Sequence, residues 1–252
     1  MRRAFYWYIP LFTALVAAAA FGAGFYSFLT GDTGKPVDFA APGGPVTAAP
    51  TQTIAPIILG DSLARGAGDS TGLGISGRLD GELKRRNVPA RETVNIAVNG
   101  ARTPDLLRQL ESANVRRLLG EANVIILSIG GNDLWGGNNW REATPPDPEA
   151  AMDQVIERIE QIVKIVRAQN PTARVFLIGL YNPFRTTPVG PKLTSLVTRW
   201  NARVSERFSG DPNFTVVQTA DIFSHHDRLS VDRFHPGGEG YALIARRIAD
   251  AI

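Results

Sequence analysis

Residues 54–63 read Ile54-Ala55-Pro56-Ile57-Ile58-Leu59-Gly60-Asp61-Ser62-Leu63. An unbroken apolar run closed by Gly-Asp-Ser is the pattern of a strand covered on both faces, ending in a turn that opens a helix. Four later runs, Thr93–Val98, Val124–Ile129, Val175–Gly179 and Phe214–Val217, repeat the character of Ile54–Leu59. Amphipathic segments lie between them. Alternation of this kind predicts an α/β domain with a mainly parallel five-stranded sheet and helices on both faces. Ligands of such sheets collect at the carboxyl ends of the strands, so functional residues are expected just after strands.

The clearest helix carries Met152, Val155, Ile156, Ile159, Ile162, Val163 and Val166 on one stripe. Asp147 is placed to cap it, Pro148 suits its first position, and Asn170-Pro171 marks its stop. Thr103-Pro104 opens another helix with Leu106, Leu107 and Leu110 inward, and the last helix carries Leu243, Ile244 and Ile248. The basic run Lys84-Arg85-Arg86 reads as the solvated end of a helix.

Upstream of residue 54 the chain changes character. After Arg2 and Arg3, the run Ala4–Leu29 has no charged side chain, and Tyr6, Trp7 and Tyr8 suit an interfacial belt at its entry. A bilayer span needs about 20 apolar residues, whereas a secretory signal core needs about 7–15. The run predicts an anchor with its N-terminus inside and a single pass across a bacterial-type cell membrane. The small residues Ala17–Ala20 and Ala23 leave cleavage, and so secretion, as the alternative. Residues 30–53, rich in Gly, Pro, Ala and Thr, read as a linker, which leaves residues 54–252 as the folded domain.

Net charge is +3 over 252 residues. Arg2, Arg3, Lys35, Asp32 and Asp38 precede residue 54, so the domain is close to balanced and no nucleic-acid partner is expected. Cysteine is absent, which excludes disulfides, thiolate metal sites and cysteine nucleophiles.

Four segments fall where chemistry is expected. Gly60-Asp61-Ser62-Leu63 follows the first run and sets a hydroxyl at the sheet rim; serine needs a base to become a nucleophile. Asn99-Gly100 follows the second, where a glycine N–H can approach a substrate oxygen. Gly130-Gly131-Asn132-Asp133 follows the third and offers an amide donor. Asp232-Arg233-Phe234-His235 precedes the last helix and joins an imidazole to a carboxylate that can orient it. Taken singly, each is a common turn or cap residue.

Together and in this order, the segments resemble the SGNH/GDSL hydrolase family over residues 54–252, with Ser62, Gly100, Asn132 and His235 as the residues of its four blocks. Asn99 departs from the smaller residue many members carry there, so Gly100 is the loosest match. The resemblance implies a flavodoxin-like α/β/α fold and a serine ester hydrolase acting through an acyl-enzyme. Ser62 would be the nucleophile, His235 the base and Asp232 its orienting acid. An oxyanion hole would come from the Ser62 and Gly100 N–H groups and the Asn132 side chain. It implies no metal or organic cofactor, and a lipid, glycan or small-molecule ester as substrate.

The alternatives left open are a carbohydrate O-acetylesterase acting on an envelope polymer and a non-catalytic envelope-binding module. His225-His226-Asp227 is expected to be a surface or substrate-rim feature rather than a metal site. Asp61 is expected to shape the turn. The segment Trp135–Trp140 is read either as a wall of the substrate site or as a structural flap.

Overall fold

The computed structural model describes residues 12–23, 25–26, 52–135 and 147–252. They belong to two compact units, Met1–Pro50 and Thr51–Ile252. In the first unit, helix α1 (residues 12–23) leaves its described side chains exposed. Among the described residues no helix is long and apolar enough to cross a membrane. Residues 4–11, 24 and 27–29 of the run expected to form an anchor, and nearly all of the expected linker, lie outside the described residues.

The second unit carries five strands: β1 (Pro56–Gly60), β2 (Val94–Asn95), β3 (Val124–Ser128), β4 (Arg174–Ile178) and β5 (Phe214–Val217). Their order is β2-β1-β3-β4-β5 and every pairing is parallel. The runs are continuous because both faces are covered. Ile57, Leu59, Ile125, Leu127, Val175 and Leu177 enter one core. Their neighbours Ile58, Ile126, Phe176 and Ile178 enter the other.

Helix α2 (Ser62–Arg65) follows β1, and α3 (Gly74–Arg85) leads back along the second core beside the last helix. Helices α4 (Thr103–Gln109), α5 (Ala113–Glu121), α6 (Gly131–Trp135), α7 (Pro148–Gln169) and α8 (Gly190–Arg207) follow, and α9 (Gly238–Ala251) closes the domain. Residues of α4, α5, α7 and α8 fill the first core. This is the three-layer architecture expected. Every residue of the α7 stripe is buried, and the Asp147 carboxylate accepts the N–H groups of Glu149 and Ala150 at 3.0 and 3.1 Å. Lys84 and Arg85 do close a helix, α3, with Arg86 as its C-terminal cap.

The expected second strand is much shorter than Thr93–Val98. The Asn95 amide donates to the Ala64 carbonyl at 2.8 Å, and its side-chain oxygen accepts the Ala97 N–H at 3.1 Å. This side chain competes with the backbone ladder. The backbone still follows β1, because Ile96 and Val98 donate to Ile58 and Gly60 at 3.0 and 2.9 Å.

Candidate active site

β1 and β3 are paired neighbours at the point where strand order reverses, and the turn after β1 is held there by close contact. A Cβ on Gly60 would lie 1.9 Å from the Ser128 carbonyl oxygen, at a φ of +129° that favours glycine. The adjacent Asp61 N–H donates to that same oxygen at 2.9 Å. The Asp61 carboxylate then accepts the N–H groups of Leu63 and Ala64 at 3.1 and 3.5 Å and the Ser128 hydroxyl at 2.9 Å. Asp61 therefore caps α2 as expected and sets Ser62 at its first position. Burial drives the Asp61 carboxyl up to about 6, against the pull of the hydrogen bonds from Ser128, Ala64 and Leu63 and of the nearby His235.

The loop before α9 shows why an acid stands three residues before the histidine. Asp232 Oδ1 accepts the N–H groups of Phe234 and His235 at 2.8 and 2.9 Å and the Ser230 hydroxyl at 2.6 Å, which builds the turn. Arg233 completes it in the left-handed region, at φ +55°. The other oxygen, Oδ2, is left for His235 Nδ1 at 2.7 Å. Desolvation works to raise the Asp232 carboxyl, but hydrogen bonds from Ser230, His235 and the two backbone N–H groups outweigh it and hold the acid at about 2.

His235 Nε2 lies 2.8 Å from Ser62 Oγ. With Nδ1–H directed at the carboxylate, Nε2 presents a lone pair to the hydroxyl; this tautomer follows from the hydrogen-bond network. Ser62, His235 and Asp232 thus form one chain. Ser62, Asn132 and His235 line one cavity. Asn132 uses one amide hydrogen on the Ala101 carbonyl at 3.0 Å, which ties the loops after β2 and β3 together. Asp133 reinforces this tie by accepting the Thr103 N–H and hydroxyl at 3.0 and 2.6 Å. Gly100 sits on the same loop, exposed and at φ +75°, and is not one of the cavity-lining residues.

The cavity wall is mostly residues that the sequence did not single out. Leu180, Pro183 and Phe184 after β4, Leu193 and Val197 of α8, and Phe234 give it an apolar lining. The Tyr181 hydroxyl donates to the Phe234 carbonyl at 2.7 Å and so joins this wall to the histidine loop. The rule that ligands meet the ends of parallel strands points to the connection after β4; no motif marks it. Of the expected wall segment, Gly136–Trp140 lies outside the described residues. His225 is exposed beside a 3-10 turn at His226–Arg228. Among the described residues no three His, Cys, Asp or Glu side chains cluster as metal ligands would.

A parallel three-layer domain with a Ser–His–Asp chain at the carboxyl ends of β1 and β5 defines the class. Residues 58–243 match the GDSL-like Lipase/Acylhydrolase family, and the chain belongs to it. It is 33% identical over 202 residues to the uncharacterized protein YpmR of Bacillus subtilis, covering 77% of this chain and 79% of that one. It is 26% identical over 204 residues to the spore germination lipase LipC of Bacillus licheniformis, covering 77% and 93%. Among solved structures, the lipase Lip_vut3 from a goat rumen metagenome shares the fold, with a TM-score of 0.67 at 24% identity, covering 79% of this chain and 97% of that one.

Proposed function

We propose that the protein is a serine esterase of lipase-like type, hydrolysing acyl esters through a covalent acyl-enzyme. The observation that carries this reading is the 2.8 Å contact between Ser62 Oγ and His235 Nε2, in a cavity with an apolar wall. Ser62 Oγ attacks the ester carbonyl carbon as its proton passes to His235 Nε2. The tetrahedral oxyanion is held by the Ser62 and Gly100 N–H groups and the second amide hydrogen of Asn132. Collapse breaks the bond to the leaving alkoxide, which takes the proton from His235. Water, deprotonated by the same nitrogen, then releases the acid and restores Ser62.

The state of the backbone supports the oxyanion assignment. Among the described residues, neither the Ser62 nor the Gly100 N–H has an intramolecular acceptor. Asp232 keeps the imidazole oriented and stabilises its cation while it holds the proton. The apolar lining favours an acyl chain over a sugar as the group bound beside Ser62. The uncharged run Ala4–Leu29 behind Arg2 and Arg3 supports an anchored domain on the outer side of the membrane.

The experiment is hydrolysis of nitrophenyl esters of graded chain length by wild type, Ser62→Ala and His235→Ala. Wild-type turnover should fall by about 10⁴–10⁶ in either variant. Turnover that survives Ser62→Ala removes the assignment.

A further inference from the structure

The exposed large apolar side chains described in the catalytic domain are concentrated at one end. Leu73 lies in the loop between α2 and α3, Val98 just past β2, Val189 immediately before α8, and Val231 beside Asp232. All four stand on connections that follow the carboxyl ends of strands, the end of the sheet that holds the Ser62 cavity. The fifth, Val94, is on the edge strand. Isolated exposed apolar residues need no explanation, but a set gathered round an apolar cavity marks a contact surface.

The unpaired charges at the same end of the sheet are mainly cationic. Arg65, Arg185, Lys192 and Arg233 are exposed there, and none has an ion pair among the described residues. The carboxylates nearby are engaged: Asp69 pairs with Arg78, Asp105 with Arg108 and Glu239 with Arg228, and Asp232 accepts hydrogen bonds from the neutral His235 and from its own turn. Asp147 and Asp227 are the exceptions, exposed and without an ion pair among the described residues. At the amino ends of the strands Arg167 pairs with Asp211 and Arg86 with Glu82 and Asp250, while Lys84 and Arg91 have no ion pair among the described residues. The rim of the site is therefore both apolar and cationic, a combination that complements an anionic lipid surface.

We propose that the rim of the Ser62 cavity docks on anionic bilayers, so that an acyl ester passes from the lipid surface directly onto the serine. The purpose of this docking rests on the ester-hydrolase reading; the surface itself does not. Apolar side chains enter the acyl region while the unpaired cations meet the headgroups. The cavity mouth then faces the bilayer, and the ester reaches it without crossing water.

The chain has no cysteine, so a single introduced thiol can carry an environment-sensitive dye. Leu73→Cys and Val189→Cys place the dye at the rim, and Lys84→Cys places it at the far end of α3. The full chain is mixed with phosphatidylcholine vesicles with or without about 30% phosphatidylglycerol. The expected result is a blue shift at Leu73→Cys and Val189→Cys with the anionic vesicles only, and none at Lys84→Cys. Adding Arg65→Glu, Arg185→Glu and Lys192→Glu should weaken the response at least about tenfold. Reversing Arg91, Lys164 and Arg246 should leave it unchanged.

Equal shifts at both ends, or no shift at the rim, overturn the proposal. So does salt-sensitive binding of dextran sulfate without any blue shift on vesicles, which would make the rim a site for soluble polyanions. A rim-specific shift in a protein that hydrolyses no ester leaves docking standing and removes the hydrolase reading. Ester turnover without a shift does the reverse.

Discussion

Gly68 stands against His235 so closely that a Cβ on the glycine would lie 2.8 Å from the His235 Cβ. The same atom would meet Ser230 Oγ at 2.8 Å and the Pro236 carbonyl at 2.9 Å, and the backbone there has φ +87°. Gly68→Ala is expected to push the histidine loop off its register and lower kcat by about 10², since small misplacements of a catalytic group cost that much. Gly72→Ala is the control: it has φ +70° but open space around its Cβ position. It should cost about 1 kcal/mol in backbone strain and leave kcat alone. Thermal melts and nitrophenyl ester kinetics on the two variants separate strain from displacement.

Asp61 gives the domain a pH-dependent stability of defined sign. Its carboxyl is raised from 3.8 to about 6 in the folded protein, so the folded state holds the proton more tightly than the unfolded one. The stabilisation is full below the unfolded value of 3.8 and is lost as pH rises through about 6. Its size is on the order of 3 kcal/mol. Asp61→Asn keeps an acceptor for Leu63, Ala64 and Ser128 but cannot ionise. Denaturation midpoints measured from about pH 4 to 7 should fall in wild type relative to this variant. Parallel curves would mean that Asp61 does not titrate in that window.

Asp232 acts in the opposite sense and at lower pH. Its folded value of about 2 lies below the ordinary 3.8, so its contribution is present above that ordinary value and is lost as pH falls through about 2. Asp232→Asn retains acceptors for the turn but removes the charge beside the imidazole. Turnover is expected to drop by about 10⁴, as an amide in that position favours the wrong tautomer. The circular dichroism spectrum should not change. A loss of fold in this variant would instead assign the aspartate to the turn alone.

The apolar wall predicts which chain lengths fit. Val197 is buried in α8 and lines the cavity, and Val197→Phe fills part of that space. Hydrolysis of octanoyl esters should fall at least about tenfold while acetyl ester hydrolysis is retained, with a stability cost of about 1–3 kcal/mol from overpacking. A uniform loss across all chain lengths would place the acyl group elsewhere.

The sheet was legible because Ile57–Leu59, Val124–Leu127 and Val175–Ile178 are apolar on both faces, which leaves a continuous run in the chain. β2 was overestimated because nothing in a linear pattern shows the Asn95 amide turning back to Ala64. Helix α8 was not anticipated: Leu193, Leu196, Val197, Trp200 and Val204 form its buried stripe, but threonine, serine and asparagine interrupt it. The positions of Ser62, Asn132, Asp232 and His235 were readable because each follows a strand or precedes the last helix. Ser128 and the wall after β4 were not, since their roles arise only when β3 and α8 are brought beside β1. Gly68 carries no motif; its role exists only once the histidine loop packs over it.

The hydrogen bond from Tyr181 to the Phe234 carbonyl makes the wall after β4 and the base-bearing loop one mechanical body. Selectivity and turnover are therefore epistatic on that side of the cavity: a substitution that reshapes the wall also moves the imidazole. The backbone of α8 belongs to the same body, because Asn182 donates to the Gly190 carbonyl and the Thr194 hydroxyl and Asn201 pairs with the Leu180 backbone. Divergence toward a new acyl group has its open evolutionary path through the Leu193 and Val197 side chains, which line the cavity without taking part in those bonds.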